Sequence, residues 1–133
     1  NIEDWIHFPA HFVKYKLCNG WSEEQERIVN SIMKNVINEE MYALNWKHDC
    51  FVFHPDENIQ LYYSYYDEAR GVYVYFPSYW PDGDYHFFVK MDWTCGLFGH
   101  PWRQEICVLG EALIQAFEEE KERLNIKEIG DVK

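Results

Sequence analysis

The chain has 133 residues and a formal net charge of −11, and 47% of its residues are hydrophobic, with an aromatic share of 19%. This length predicts a single domain, residues 1–133, with a substantial core, and the hydrophobic content excludes intrinsic disorder. The negative charge argues against duplex nucleic acid and anionic membrane surfaces as partners, because both carry charge of the same sign. It favours a basic protein partner, although an acidic surface also serves solubility alone.

The cysteines, at positions 18, 50, 95 and 107, contain no Cys-x-x-Cys pair, so no zinc ribbon is predicted. We expect reduced thiols in a cytoplasmic protein, with Cys50 and Cys107 buried inside the sheet. No apolar run approaches the roughly 18 residues that a membrane span needs, so no membrane segment is predicted. The chain begins at Asn1, and we expect a few native residues before it.

The first forty residues predict a strand and a helix. Val13–Leu17 alternates in polarity and is typical of an edge strand that lysines protect. Ser22 predicts a helix N-cap, because Gln25 three residues later completes a capping box. The helix is expected to run to about Asn38, with one apolar stripe formed by Ile28, Val29, Ile32, Met33, Val36 and Ile37.

The middle of the chain predicts two hairpins. Met41–Trp46 and Cys50–Phe53 are β-prone runs joined by a short connection. Leu61–Tyr66 and Val72–Phe76 form a second such pair, with turn residues between them.

The second half of the chain contains two turn-rich segments, which we interpret as loops 77–84 and 95–102. Strand Tyr85–Lys90 is expected between them, and strand Gln104–Leu109, apolar on both faces, after them. A helix is predicted over Glu111–Leu124, with a last edge strand at Ile126–Ile129. The predicted fold class is therefore α+β, a mainly antiparallel sheet with two longer helices packed on one face.

The candidate binding residues lie in and beside these two loops. If the second loop folds back along the sheet, His100 comes near Asp82 or Asp84, and two tryptophans frame the same surface. The alternative is that the loops form two separate structural corners. The full candidate set is Trp80, Asp82, Asp84, His86, His100, Trp102 and Glu105.

Signatures of catalysis and of cofactors are weak in this sequence. The glycines form no phosphate-binding loop, and no histidine pair has metal-ligand spacing on a helix. Asp84 and His86 can share a strand face, and Cys95 lies five residues before His100, but neither pair is sufficient to define a metal or nucleophile site. Asp82 and Asp84 flank a glycine and are typical of turn hydrogen bonding. No metal, no cofactor and no catalytic residue is predicted.

Four motifs carry a resemblance to known sequences. They lie at Trp46–Phe53, Pro81–Phe88, Gly96–Trp102 and Ile106–Glu111, and include Pro-Asp-Gly-Asp-Tyr, Gly-His-Pro-Trp and Ile-Cys-Val-Leu-Gly-Glu. In this order they resemble a bacterial, Bacillus-type family of uncharacterised proteins over about residues 42–118. The resemblance implies no activity and supplies no catalytic residue.

Two classes of function follow as expectations. The first is a non-enzymatic cytoplasmic binding protein, of the immunity or antitoxin kind, that covers a basic protein partner. The second is a small-molecule-binding protein or hydrolase with a pocket between loops 77–84 and 95–102. A deep pocket at Asp84, His86, His100 and Glu105 would favour the second class.

Overall fold

The strands of this protein form one large antiparallel sheet and a separate hairpin. The computed structural model describes residues 11–45, 50–57 and 64–129. Within them, the large sheet has seven strands in the order β3-β2-β6-β7-β8-β1-β9. The elements are β1 (Phe12–Leu17), α1 (Glu23–Val36), β2 (Met41–Asn45), β3 (Cys50–Phe53), β4 (Ser64–Asp67), β5 (Val72–Tyr75), β6 (His86–Lys90), β7 (Gly96–His100), β8 (Glu105–Leu109), α2 (Glu111–Leu124) and β9 (Ile126–Glu128).

Both helices pack on one face of the large sheet, which confirms the predicted α+β class. We call this the helix face. Its core joins the apolar stripes of the helices to alternate residues of the strands, because successive side chains of a strand point to opposite faces. The members with the least exposure include Val29 and Met33 of α1, Leu113 and Phe117 of α2, and Tyr15, Met41, Phe88, Leu97, Ile106 and Val108 of the sheet.

Helix α1 begins as its sequence predicts. The Ser22 hydroxyl accepts a hydrogen bond from the Gln25 backbone N–H, and the Gln25 side chain accepts one from the Ser22 backbone N–H. This reciprocal capping satisfies two donors that the first helical turn leaves without partners. The helix ends at Val36, two residues before the predicted end.

The opposite face of the sheet, which we call the second face, holds a smaller apolar cluster. Phe87, Phe98, Cys107 and Leu109 are buried there, and the rings of Phe87 and Phe98 stack with centroids 4.6 Å apart. Strand β8 is therefore apolar on both faces, as its sequence predicts.

Strands β4 and β5 pair only with each other among the described elements and form a two-stranded antiparallel sheet. This hairpin and the β2–β3 hairpin confirm the two predicted hairpins. The last residue of the predicted strand Met41–Trp46, the predicted connection at residues 47–49 and the first residues of the predicted strand Leu61–Tyr66 lie outside the described residues.

The prediction that Val13–Leu17 is an edge strand is wrong. Strand β1 pairs with β8 on one side and with β9 on the other. Its lysines lie on the second face and do not protect an open edge. The edge position on this side belongs to β9, the short strand predicted at the end of the chain.

The prediction that residues 95–102 form a loop is also wrong, because Gly96–His100 is the buried strand β7. Its two glycines are close-approach positions within a strand. A Cβ at Gly96 would lie 2.7 Å from the Phe88 carbonyl oxygen, and one at Gly99 would lie 2.8 Å from the Pro81 side chain. The sequence shows these glycines but not the neighbours that require them.

Neither described helix has the length and apolar character that a membrane span requires.

The four cysteines are thiols, and their exposure differs widely. Cys107 is 3% exposed inside the sheet, as predicted. The prediction that Cys50 is buried is wrong, because Cys50 begins the outer strand β3 and its side chain is exposed on the second face.

We therefore expect alkylation of the native protein to follow this order of exposure. Cys18 and Cys50 should react first. Cys95 should react more slowly, because burial raises its pKa and so reduces the thiolate fraction. Cys107 should react only when the chain unfolds. Mass spectrometry over time checks this order, and rapid native labelling of Cys107 would contradict the structure.

Candidate functional site

The large sheet separates the seven candidate residues into two groups. His86 points to the helix face, where it lies beside Phe88 with ring centroids 6.5 Å apart. His100 lies on the second face with Phe98. The two histidines belong to neighbouring strands, but their side chains are on opposite sides of the sheet, so they cannot act on one ligand.

On the helix face, the segment before β6 is held by a buried carboxylate of α1. Glu26 accepts hydrogen bonds from the Tyr79 backbone N–H at 2.7 Å and from the Trp80 backbone N–H at 2.9 Å. Burial raises the pKa of Glu26 above its ordinary value, although the two N–H donors lower it in part. A buried carboxylate with two backbone donors is a structural anchor for the segment.

Two further contacts fix the same segment to α1 and to Trp21, which precedes the helix. The Tyr79 hydroxyl donates to the Asn30 side chain at 2.6 Å, and Asn30 in turn donates to the Pro55 carbonyl at 3.0 Å. The rings of Trp80 and Trp21 meet edge to face with centroids 5.6 Å apart. Trp80 is therefore a packing residue of the helix side.

His86, in strand β6, also binds the segment that precedes this strand. Its Nδ1 lies 2.8 Å from the Ser78 carbonyl oxygen, so Nδ1 carries a proton and donates it to that oxygen. Burial lowers the pKa of His86, more than the Ser78 hydrogen bond and the nearby charges of Asp84 and Asp82 raise it. A buried, neutral histidine in this position stabilises the chain and is closed to a substrate.

On the second face, three rings form a corner at the ends of β6 and β7. The Tyr85 ring lies with its centroid 4.8 Å from that of His100 and 5.3 Å from that of Trp102. His100 is 6% exposed and its Nδ1 accepts a hydrogen bond from the Arg103 backbone N–H at 3.3 Å. Trp102 is 69% exposed, so its ring is available to a partner.

Glu105 lies opposite His100 in the β7–β8 pair and opposite Lys16 in the β1–β8 pair. The cavity beside these residues has a volume of about 10 Å³ and is lined by Lys14, Phe98, His100, Glu105, Ile106 and Cys107. A cavity of about this size holds one water molecule at most. The predicted pocket for a small molecule or a hydrolase substrate therefore gains no support at this place.

The two aspartates stay in the turn that precedes β6. The Asp84 carboxylate accepts a hydrogen bond from the Tyr85 backbone N–H at 2.8 Å. Gly83 between the aspartates has φ 74°, a conformation that glycine adopts without strain. Asp82 is exposed, whereas Asp84 is half-buried.

The predicted convergence of the two segments occurs in part. Strand β7 returns antiparallel to β6, so His100 comes beside Tyr85, the residue that follows Asp84. The two tryptophans do not frame one surface, because Trp80 packs on the helix face and Trp102 packs at the second face. The function of the seven residues stays a prediction.

Glu26 is the residue that sequence reasoning missed. It stands in the acidic first turn of α1 with Glu23 and Glu24, which are exposed. Its position in the sequence nevertheless indicates burial, because residue 26 lies three residues before Val29 and seven before Met33, on the apolar stripe of the helix.

No three His, Cys, Asp or Glu side chains of residues 11–45, 50–57 and 64–129 come together as a metal site. The absence of a metal and of a cofactor from the whole chain stays a prediction.

The variant Glu26→Gln should destabilise the protein, because its amide nitrogen cannot accept the second backbone N–H, whereas both oxygens of Glu26 can accept whether the carboxyl group is ionised or protonated. Leaving one buried N–H without an acceptor costs about 1–3 kcal/mol. For a domain of this size we expect a loss of about 4 °C in Tm for each kcal/mol. Glu24→Gln is the matched control, since Glu24 is exposed on the same helix. Equal losses in the two variants would contradict the anchor.

The pH dependence of this difference has a definite sign. A group whose pKa is raised on folding stabilises most below its unfolded pKa and loses that contribution as the pH rises through the folded pKa. Glu26 has a raised pKa, and glutamine does not titrate. The stability deficit of Glu26→Gln should therefore be largest below about pH 4.5 and smaller at neutral pH. Urea unfolding of both proteins at several pH values measures it.

Truncation of the two corner residues His100 and Trp102 should cost stability to different extents. His100→Ala removes a buried ring and the acceptor of the Arg103 N–H, so we expect a loss of about 1–3 kcal/mol. Trp102→Ala removes an exposed ring whose nearest aromatic contact, with Tyr85, is worth about 0.5–1.5 kcal/mol. His11→Ala, at an exposed histidine, is the control. Denaturant unfolding checks the order, and a larger loss for Trp102→Ala would reverse these roles.

Comparison with known proteins identifies the family without naming an activity. A family model described as a protein of unknown function, DUF2716, matches residues 4–114. The chain is 38% identical over 81 residues to the uncharacterized protein YxiI of Bacillus subtilis (strain 168), a match that covers 61% of this chain and 45% of that protein. The chain thus spans less than half the length of this relative, and no solved structure matches it. Because the family model matches most of this chain, the chain belongs to the DUF2716 family of bacterial proteins of unknown function.

Proposed function

We propose that this protein is a non-enzymatic cytoplasmic binding protein that covers a basic protein partner, in the manner of an immunity or antitoxin protein. The observation that carries this proposal is the excess of carboxylates on the two helices. Part of the net charge of −11 therefore lies on these two helices.

Helices α1 and α2 carry eight glutamates and four basic residues. Each of the four basic side chains contacts a carboxylate: Arg27 contacts Glu23, Lys34 contacts Asp56 at 2.9 Å, Lys121 contacts Glu118 at 2.9 Å and Arg123 contacts Glu120 at 2.8 Å. Their positive charge is therefore locally compensated, and the remaining glutamates give the helix side a negative field. Such a field attracts a basic protein and raises its association rate.

The geometry of the predicted site also favours a protein over a small molecule as ligand. Small-molecule sites are concave and usually have volumes of about 300–1,000 Å³. The cavity at His100 and Glu105 is about 10 Å³. The aromatic side chain that projects beside it, Trp102, is exposed, as tryptophans at protein interfaces are before the partner binds.

The proposal predicts a partner whose retention depends on salt. The protein should be used as bait in extract of its source organism at low salt, and the bound proteins identified by mass spectrometry. We expect a basic protein that high salt releases, because screening weakens contacts between exposed charges. A partner that is acidic, or one that high salt does not weaken, would contradict the proposal.

With the partner in hand, surface charge variants test the role of the helices. The double variant Glu119→Gln, Glu122→Gln removes two exposed charges from α2 and should lower the association rate constant several-fold with little change in dissociation. The control Lys127→Gln removes an exposed positive charge from the neighbouring strand β9 and should not lower that rate. Stopped-flow association kinetics measures both, and equal rates for the two variants would refute steering by the helices.

A further inference from the structure

The β4–β5 hairpin presents a face of exposed tyrosines. In an antiparallel pair, residues directly opposite each other point to the same face. Tyr66 lies opposite Tyr73, and Ser64 lies opposite Tyr75. These four residues therefore share one face, which we call the tyrosine face, and its three rings are 50%, 63% and 58% exposed for Tyr66, Tyr73 and Tyr75.

The other face of the hairpin is the one turned towards the protein. It carries Tyr65 opposite Val74 and Asp67 opposite Val72. Val74 on this face is 1% exposed, whereas its neighbours Tyr65 and Val72 are 44% and 46% exposed. The fold thus buries Val74 on this face and leaves three large rings exposed on the other.

The tyrosine face is held in a defined shape. The Tyr66 and Tyr73 rings meet edge to face with centroids 5.1 Å apart. The Asp67 carboxylate accepts hydrogen bonds from the backbone N–H groups of Ala69 and Arg70 and from the Arg70 side chain, and Gly71 completes the turn at φ 67°. Tyrosine has few rotamers to lose, so a face of this kind binds at low entropic cost.

The chemistry of the face suits cationic side chains. The π face of an aromatic ring attracts lysine and arginine, and tyrosine and arginine are enriched among the residues that dominate protein interfaces. The chain's charge of −11 adds attraction for such a partner. Single-stranded nucleic acid also stacks on aromatic rings, but its binding needs a positively charged groove beside them, and the one basic residue of the turn, Arg70, is paired with Asp67 at 2.8 Å.

We propose that Ser64, Tyr66, Tyr73 and Tyr75 form the contact surface for lysine and arginine side chains of the basic protein partner. The proposal rests on the proposed function, since it places the contact with that partner. The carboxylates of the helices attract the partner over a distance, and the tyrosine face binds its cationic side chains at contact.

A labelled oligoarginine peptide serves as the probe, with an oligoglutamate peptide of the same length as its negative control. Fluorescence anisotropy measures binding of each peptide to the full chain at low and high salt. The test variant is Tyr73→Leu, Tyr75→Leu, which removes the two most exposed rings from the tyrosine face. Tyr65→Leu is the matched control, because it removes a 44% exposed tyrosine from the other face of the same hairpin. Tyr73→Phe, Tyr75→Phe keeps both rings.

We expect the wild-type chain to bind oligoarginine and not oligoglutamate. The leucine variant should bind it more weakly, by roughly twofold to fivefold for each ring removed, while Tyr65→Leu and the phenylalanine variant bind like the wild type. If oligoarginine binds the wild type and the leucine variant equally, the tyrosine face is not the contact surface, and the proposed function is unaffected. If oligoarginine does not bind the wild type at low salt, the proposed function fails and the contact surface fails with it.

A measurement on the wild-type chain does not depend on the folding of any variant. In an NMR titration with oligoarginine, the ring signals of Tyr66, Tyr73 and Tyr75 should shift more than those of Tyr65. Shifts confined to residues outside the hairpin would overturn the assignment of the surface.

Discussion

The carboxylate of Glu26 determines how the chain enters the central strands. It binds the backbone of Tyr79 and Trp80, and this segment passes directly to Pro81, which packs against Gly99 of β7. The same segment supplies the Ser78 carbonyl to His86. One buried group of α1 thus sets the position of the segment relative to both β6 and β7. Because the burial of a carboxylate is costly without donors, the two backbone N–H groups and the carboxylate require each other.

Local signals allowed most of the fold to be predicted from the sequence. The capping box of Ser22 and Gln25, the apolar stripe of α1 and the two hairpins depend on residues close in sequence, and all are found. The errors concern long-range pairing. The sequence of β1 is typical of an edge strand, because its partners β8 and β9 lie about 90 and about 110 residues away. Strand β7 looked like a loop because Gly96 and Gly99 are also typical of turns, and their real cause is the close approach of Val89 and Pro81.

The candidate site could be predicted only as a region. His86 and His100 both lie near turn-rich segments of the sequence, but the pairing of β6 with β7 puts their side chains on opposite faces of the sheet. A difference of one residue in register moves a side chain from one face to the other, and sequence does not reveal this register. Glu26 was hidden for a related reason, since its neighbours Glu23 and Glu24 are exposed and its partners lie more than fifty residues further along the chain.

In this protein, charged side chains on the surface provide long-range attraction, and exposed aromatic side chains provide short-range contact. The exposed ion pairs Arg27–Glu23 and Arg123–Glu120 are each worth about 0–1 kcal/mol, so the acidic helices add little to stability through them. The helix glutamates that no basic side chain compensates act over about a Debye length, roughly 8–10 Å, and they affect the rate at which a partner associates. Aromatic rings such as those of Tyr73 and Trp102 act only at contact, where they affect how slowly a partner leaves. In the proposed function the two sets therefore govern different rate constants, and a substitution in one set should not reproduce the effect of a substitution in the other.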